Sequence, residues 1–316
     1  MNVFFHILLY NIVPLCVLIG VGFLLQRVFH LDIRTLSKLN FYLFSPVIIF
    51  KMLYESNLSA AVFGEVLLFF FLFMALLYGL TEIAIRIRRL AGGMKNAMRN
   101  SVLFYNSANF AMPLSQLVFH NNAYALSIQI IIMMMQSLIP NTYGIYSVNS
   151  HRQPWRDTMK TILGMPVVYA IPLALILRGF SVPIPESLYI PINYVASGFI
   201  AAALVTLGVQ LGSIHWQLHR MGDVFLSNAL RLIAGPLLGF LVVWAMDRWI
   251  MEIDALMAQA LVLSCAVPTS LSSMLLAVEF DNEPEFASQA VLFSTLLSMV
   301  TVSFVIYFIF SPVFPF

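Results

Sequence analysis

The chain alternates long apolar runs with short polar connections, and most of the runs are close to twenty residues long. A stretch of that length and polarity is typical of a helix that crosses a bilayer. Ten such runs fit into the 316 residues, five on either side of the polar connection 149–158. The predicted helices cover residues 5–27, 36–53, 61–83, 97–119, 123–148, 159–177, 188–211, 224–247, 256–278 and 287–312.

Two of these runs, the fourth and the ninth, carry a proline near their middle. Pro113 removes the hydrogen-bond donor that the carbonyl of Asn109 would use in a regular helix, and Pro268 does the same in the second half. In hydrocarbon such a break is tolerated only where protein or a water-filled cavity surrounds it. Two interrupted segments at corresponding positions of two halves indicate a transporter site near the middle of the membrane.

The composition agrees with a multi-pass membrane protein. Apolar residues make up 61% of the chain and charged residues 9%, whereas an ordinary soluble domain has roughly 25% charged residues. We expect the lipid bilayer as a partner and no nucleic acid. The histidines show no metal-ligand grouping, so we predict neither a metal nor a cofactor.

The basic residues predict the orientation of the helices. Twelve Lys and Arg residues lie in or beside the connections after the first, third, fifth and seventh helices, against three on the other side. By the positive-inside rule the first group faces the cytoplasm, so both termini face outward. Because each half has five helices, the halves 1–148 and 159–316 take opposite orientations, as in an inverted repeat, and 149–158 becomes a cytoplasmic connection.

Three motifs give the chain a resemblance to a known family. They are NSANFAMPL at 106–114, SCAVPTSLSSMLLAVEF at 264–280 and LNFYLFSPVIIF at 39–50. In their order and spacing they are similar to the auxin efflux carrier family, which includes bacterial permeases related to the plant PIN proteins.

The resemblance implies an all-α membrane protein of two inverted five-helix repeats, an NhaA/bile acid transporter-like fold in which broken helices four and nine cross. It assigns the crossover to Pro113 and Pro268 and a substrate contact to Asn109. It makes the first, second, sixth and seventh helices a scaffold, often that of a homodimer, and the others a moving transport unit. It implies the bacterial inner membrane and substrates such as malonate, malate or auxin-like acids.

The candidate substrate-binding residues surround the two prolines. In helices that cross there, half-helix N-termini offer N–H groups and partial positive charge to a carboxylate. The candidates are Asn109, Asn106, Ser107, Thr269 and Ser270. A purely structural role stays open as the alternative for each of them. An Asn can satisfy freed backbone groups, and Ser or Thr are common packing residues in membrane helices.

Arg231 is the one basic residue well inside a predicted helix. A charge at that depth is expensive unless it is paired or reaches the interface. We predict that Arg231 extends toward the cytoplasmic interface; the alternative is that it attracts an anion into the inward cavity.

The function predicted from these features is secondary transport of small organic anions, mono- or dicarboxylates, by alternating access. A channel or receptor on the same frame is the alternative. An intramembrane enzyme is disfavoured because the sequence has no H-E-x-x-H motif, no pair of mid-helix aspartates and no nucleophile beside a base. The absence of acidic residues at mid-helix favours a uniporter or movement driven by the membrane potential, with a backbone-built Na⁺ site as an alternative.

Overall fold

The structure is a computed structural model that describes residues 13–55, 60–120, 122–149, 156, 159–160, 163–213 and 220–316. Within these residues the chain is helical, and the only β-type pairing is one isolated antiparallel bridge.

The helices are numbered by the predicted run to which each corresponds, and the fourth and ninth are split into two parts. They are α1 (Val13–Phe29), α2 (Ile33–Glu55), α3 (Ala60–Arg88), α4a (Gly92–Leu103), α4b (Met112–Val118), α5 (Ala123–Ile139, continued to Asn149), α6 (Val167–Gly179), α7 (Glu186–Ser213), α8 (Met221–Trp249), α9a (Ala255–Cys265), α9b (Leu271–Glu279) and α10 (Pro284–Ile309).

Several helices begin at a polar residue that caps the free N–H groups of the first turn. The carboxylate of Asp32 accepts from the amides of the first turn of α2, and the side chain of Asn122 does so for α5. Asp254 accepts from the amide of Met257 at 2.9 Å and starts α9a. These caps follow from the preference of Asp and Asn for the N-cap position.

Helices α1, α2, α6 and α7 pack on one another, and the contact between α1 and α7 is the most extensive in the molecule. This contact depends on small residues. A Cβ atom on Gly22 would lie 2.2 Å from the carbonyl oxygen of Val205, and one on Gly208 would lie 2.0 Å from that of Ile19. The two glycines therefore let the backbones of α1 and α7 approach closely, as is common in membrane helix pairs.

The other helices form a second group. In it α3 packs on α4a, α5 and α8, while α9a lies between α5, α8 and α10. Both interrupted segments belong to this group. The first group contains the helices that the resemblance to the carrier family assigned to a scaffold; the roles of scaffold and moving unit stay predictions.

Four of the helical segments that the structure describes contain a π-helical turn, in which the hydrogen bonds span five residues rather than four. Three of these turns end two residues before a proline: Asn40–Phe44 before Pro46, Ser107–Ala111 before Pro113, and Leu230–Ala234 before Pro236. The fourth, Pro140–Gly144, begins at a proline. Because a proline lacks the N–H and its ring crowds the carbonyl of the preceding turn, a wider turn relieves the conflict without ending the helix.

Six of the described helices, α2, α3, α5, α7, α8 and α10, are long and apolar enough to cross a membrane. Helices α1, α6 and α9a are shorter apolar helices. The predicted helix at 97–119 is split, as is that at 256–278. The predicted first helix starts within residues 1–12, and most of the connection 149–158 falls on positions 150–155 and 157–158, which lie outside the described residues.

Candidate functional site

The two interrupted segments meet where neither is helical. Tyr105 and Thr269 form the isolated antiparallel bridge. The amide of Asn106 donates to the carbonyl of Pro268 at 2.8 Å, and the amide of Ser270 donates to the carbonyl of Phe104 at 2.7 Å. Two short extended pieces, one from each half of the chain, thus supply each other with the hydrogen bonds that their helices no longer provide, as a break inside a membrane protein requires.

The carbonyls at the C-terminal end of α4a all have donors from elsewhere in the molecule. An α-helix leaves its last four carbonyls without partners. Here the donors to four consecutive carbonyls are the hydroxyl of Thr269 for Ser101 (2.8 Å), the guanidinium of Arg231 for Val102 (3.3 Å), the amide of Gln136 for Leu103 (3.3 Å) and the N–H of Ser270 for Phe104 (2.7 Å). The end of α4a is therefore satisfied by two helices, α5 and α8, and by the extended residues that precede α9b.

Gln136 of α5 both donates and accepts a hydrogen bond at the first break. Its Nε2 donates to the carbonyl of Leu103, and its Oε1 accepts from the amide of Tyr105 at 3.1 Å. Because Gln136, Leu103 and Tyr105 are all buried, water is not available as another partner for these two backbone groups. Gln136 was not among the candidates from the sequence.

Arg231 lies behind the meeting point with its side chain fully buried, at 0% exposure. Its Nη1 donates to the carbonyl of Val102 at 3.3 Å, and its Nη2 donates to the carbonyl of Cys265, the last residue of α9a. The guanidinium carbon lies 4.5 Å from the ring centroid of Tyr105 and 5.8 Å from that of Phe73. The prediction that Arg231 extends to the interface is therefore wrong, because the side chain turns inward to the C-terminal ends of both half-helices.

The place of Arg231 depends on Gly235, one turn further along α8. A Cβ atom at Gly235 would lie 2.9 Å from Nη2 of Arg231 and 2.9 Å from the carbonyl oxygen of Cys265. One at Gly239, the next position on the same face, would lie 2.7 Å from the side chain of Cys265. The spacing of four residues lets α8 approach the end of α9a closely enough for the arginine to bridge the gap.

A cavity lies beside the meeting point, between the two helix groups. Its walls come from both breaks, from α2 and α7, and from α5. The residues at the start of α9b, Ser270, Leu271 and Ser272, line it together with Asn106, Ser107 and Ala108, at the start of the π-helical turn that leads into α4b. The N-terminal ends of both downstream half-helices therefore face one space, and helix N-termini favour negative charge.

The cavity is polar without being charged. Its polar lining side chains are Asn40, Ser45, Asn106, Ser107, Gln136, Ser137, Asn141, Ser270 and Ser272, and no Lys, Arg, Asp or Glu is among its lining residues in the described part of the chain. The nearby positive charge is that of Arg231, which does not line the cavity.

The structure brings three of the candidate residues together. Asn106, Ser107 and Ser270 line the cavity. Ser270 is also the N-cap of α9b, where its hydroxyl accepts from the amide of Ser272 at 3.1 Å. Thr269 is not a lining residue; its hydroxyl is used by the carbonyl of Ser101, and its amide donates to the hydroxyl of Ser294 at 3.1 Å.

Asn109 and Pro113 are described only in their backbone, and their side chains lie outside the description. Asn109 is in the π-helical turn Ser107–Ala111, and Pro113 is in the first turn of α4b. The non-helical residues of this segment, Phe104–Asn106, lie well before the proline. The backbone pairing thus involves Tyr105 rather than Pro113, whereas Pro268 itself contributes a carbonyl to it.

Two asparagines that line the cavity were not predicted as site residues. Nδ2 of Asn40 donates to the hydroxyl of Thr206 and to the carbonyl of Leu36, both at 2.9 Å, and Nδ2 of Asn141 donates to the carbonyl of Ser137 at 2.8 Å. The Oδ1 atoms of both asparagines are buried and have no hydrogen-bond partner among the described residues. A buried acceptor without a partner is costly, so these atoms suit a ligand that brings a donor.

The fold and this site define a class: a helical membrane protein with several helices fit to cross a bilayer and two broken helices that meet beside a neutral polar cavity. The sequence profile of the membrane transport protein family matches residues 155–306. This match confirms, over the second half of the chain, the resemblance to the auxin efflux carrier family.

A curated relative comes from the archaeon Methanothermobacter thermautotrophicus and is described as an uncharacterized transporter. It is 24% identical over 143 residues, which make up 45% of this chain and 45% of that protein. The match thus spans less than half of the length of that relative. Both comparisons associate the chain with membrane transport.

Proposed function

We propose that this protein is a secondary transporter of small organic acid anions that works by alternating access. The observation that carries the proposal is the pair of half-helix starts, at Asn106–Ala108 and Ser270–Ser272, that line one cavity. Backbone N–H groups at a helix start bind a carboxylate without a basic side chain. A neutral lining then lets the anion leave again, which a carrier needs and a tight receptor does not.

The two unpartnered oxygens sharpen the substrate class. Oδ1 of Asn40 and Oδ1 of Asn141 can accept a hydrogen bond but cannot donate one to a carboxylate. A substrate that fits the whole cavity therefore carries a hydroxyl or N–H group besides its carboxylate. Hydroxy acids such as malate, and indole acids of the auxin type, have both groups, whereas succinate and acetate have only the carboxylates.

The position of the cavity supports a mechanism with moving parts. The walls belong to the two helix groups, α2 and α7 on one side and the breaks and α5 on the other. Relative movement of these groups would widen the cavity and expose it to one face of the membrane at a time.

The membrane potential is a sufficient driving force for export. It supplies roughly 2.3 kcal/mol per charge per 100 mV, which favours movement of an anion out of a cell that is negative inside. The proposal therefore needs no coupling ion.

Counterflow in proteoliposomes tests the proposal. Vesicles that contain the purified protein and a high concentration of unlabelled malate should accumulate labelled malate from outside above its equilibrium level, and vesicles loaded with unlabelled succinate should do so less. A channel would equilibrate the label without this overshoot, and a receptor would not move it. Failure of malate, malonate and indole acetate alike to give counterflow would overturn the proposal.

The same assay tests Asn109, whose role rests on the family resemblance. If Asn109 contacts the substrate, Asn109→Ala should reduce counterflow at least tenfold while the variant unfolds within about 1 kcal/mol of the parent. Asn122→Ser, which keeps a capping side chain outside the cavity, is the matched control. Unchanged counterflow in Asn109→Ala would remove this residue from the site.

A further inference from the structure

Arg231 is fully buried and, unlike Arg88 and Arg99, has no anionic partner among the described residues. Arg88 is paired with Asp223 at 2.9 Å, and both oxygens of Glu82 bind Arg99. For Arg231, the partners within the described residues are the carbonyls of Val102 and Cys265 and the rings of Tyr105 and Phe73. Its charge is thus buried without a neutralising carboxylate, which is expensive in a membrane unless something else compensates.

The two carbonyls that Arg231 contacts belong to helix ends of the same sign. Val102 is in the last turn of α4a and Cys265 is the last residue of α9a. The C-terminal end of each helix carries roughly half a negative charge. Two such ends that meet in a buried place repel each other, and one guanidinium between them offsets about one negative charge in total.

The same crossing has the opposite polarity on its other side. There the N-terminal ends at Ser270 and Ser107 line the cavity, each with partial positive charge. Without Arg231, the negative ends would lie just behind the positive ones and would cancel part of their field. With Arg231, the field at the cavity is positive although no basic side chain lines it.

We infer that Arg231 is a positioning and charge-compensating residue that makes the cavity selective for anions according to their charge, without touching them. The inference rests on the proposed function, since it concerns the same site. It differs from simple structural support in one respect. A structural brace affects all ligands alike, whereas a fixed charge changes the binding free energy in proportion to the charge of the ligand.

The experiment measures the affinity of the purified protein for malate and for a monomethyl ester of malate, two ligands of similar size with two charges and one. Thermal unfolding at a series of ligand concentrations gives both dissociation constants. In Arg231→Met we expect roughly fivefold weaker binding of the monoester and roughly 25-fold weaker binding of malate, because the charge effect doubles on the free-energy scale. Arg231→Lys should keep most of the ratio between the two ligands.

Ser294→Ala is the neutral control. It removes the acceptor for the amide of Thr269 and so loosens the same strand pairing without a change of charge. It should weaken both ligands by the same factor. If Arg231→Met also weakens the binding of both ligands by the same factor, the inference is overturned and Arg231 has only a structural role.

If Arg231→Met does not fold, the inference is tested in Arg231→Lys instead, by measuring how the ratio of the two dissociation constants changes with pH. A buried lysine loses its proton at lower pH than a free one. The titratable groups that face position 231 are Tyr105 and Cys265, and both stay in place. The preference for malate over its monoester should then fall as the pH rises in Arg231→Lys and stay constant in the wild type. If this ratio of dissociation constants does not change with pH in either the wild type or Arg231→Lys, the inference is overturned. A wild-type protein that binds neither ligand would count against the proposed function itself.

Discussion

The first interrupted helix and the second are held open in different ways. In the second, Pro268 lies in the break and gives its carbonyl to the pairing, and Ser270 caps the half-helix that follows. In the first, the break at Phe104–Asn106 contains no proline, and Pro113 lies further on, in the first turn of α4b. The comparison teaches that a proline marks the segment that breaks but not the residue at which it breaks. What opens the first helix is the set of outside donors that compete for its carbonyls.

The largest effect should come from removing one of those donors. Gln136→Leu leaves the carbonyl of Leu103 and the amide of Tyr105 buried without partners. Each unsatisfied group costs about 1–3 kcal/mol, so we expect a loss of about 2–5 kcal/mol in the free energy of unfolding and a loss of counterflow. Unfolding in detergent, followed by circular dichroism at rising denaturant concentration, measures it.

Gln136→Glu is the control for this change. In the neutral form that burial favours, the carboxyl group keeps an acceptor for Tyr105 and offers one O–H donor for Leu103, so this variant should unfold closer to the parent than Gln136→Leu does. If Gln136→Leu unfolds like the parent, the first break is held by something other than these bonds, and the contrast between the two breaks disappears.

A smaller loss of stability is expected at Gly235, the glycine that leaves space for the side chain of Arg231. The added methyl group of Gly235→Ala would lie 2.9 Å from both Nη2 of Arg231 and the carbonyl of Cys265, so one of them must move. Overpacking of this kind costs about 1–3 kcal/mol. The control is Gly79→Ala in α3, where a Cβ atom meets nothing within 4 Å; there the helix should gain slightly in stability. Equal stability of the two variants would show that α8 and α9a have room to separate.

The sequence predicted the plan of this molecule better than its details. Apolar runs near twenty residues, and two of them with a central proline, were enough to predict a helical membrane protein and the segments that carry the site. Asn106, Ser107 and Ser270 then followed from their nearness to a break, and all three line the cavity.

The parts that sequence reasoning missed depend on contacts between distant elements. Nothing local to Gln136 shows that it faces Tyr105, and the inward turn of Arg231 depends on the space left by Gly235. One local signal was present, however. Asn40 and Ser107 each lie six residues before a proline and Arg231 five, and all three lie in π-helical turns. Such turns are frequent at functional sites, so this spacing could have identified Asn40 and placed Arg231 at the site.

The smallest effect should come from the proline that first identified the segment. Pro113 closely follows the π-helical turn Ser107–Ala111, whose wider backbone accommodates the missing N–H, and the bonds that hold the break at Tyr105 do not involve it. Pro113→Ala should therefore change the free energy of unfolding by about 1 kcal/mol or less, chiefly through the greater freedom of the unfolded chain, and counterflow should stay within about twofold of the parent. Pro268→Ala is the matched variant in the other break. It adds an N–H group between two buried residues, Val267 and Thr269. It should therefore lower both the free energy of unfolding and counterflow more than Pro113→Ala does. The reverse order would mean that the first helix, like the second, is opened by its proline, because removal of Pro113 would then let the chain close into a continuous helix despite the donors around it.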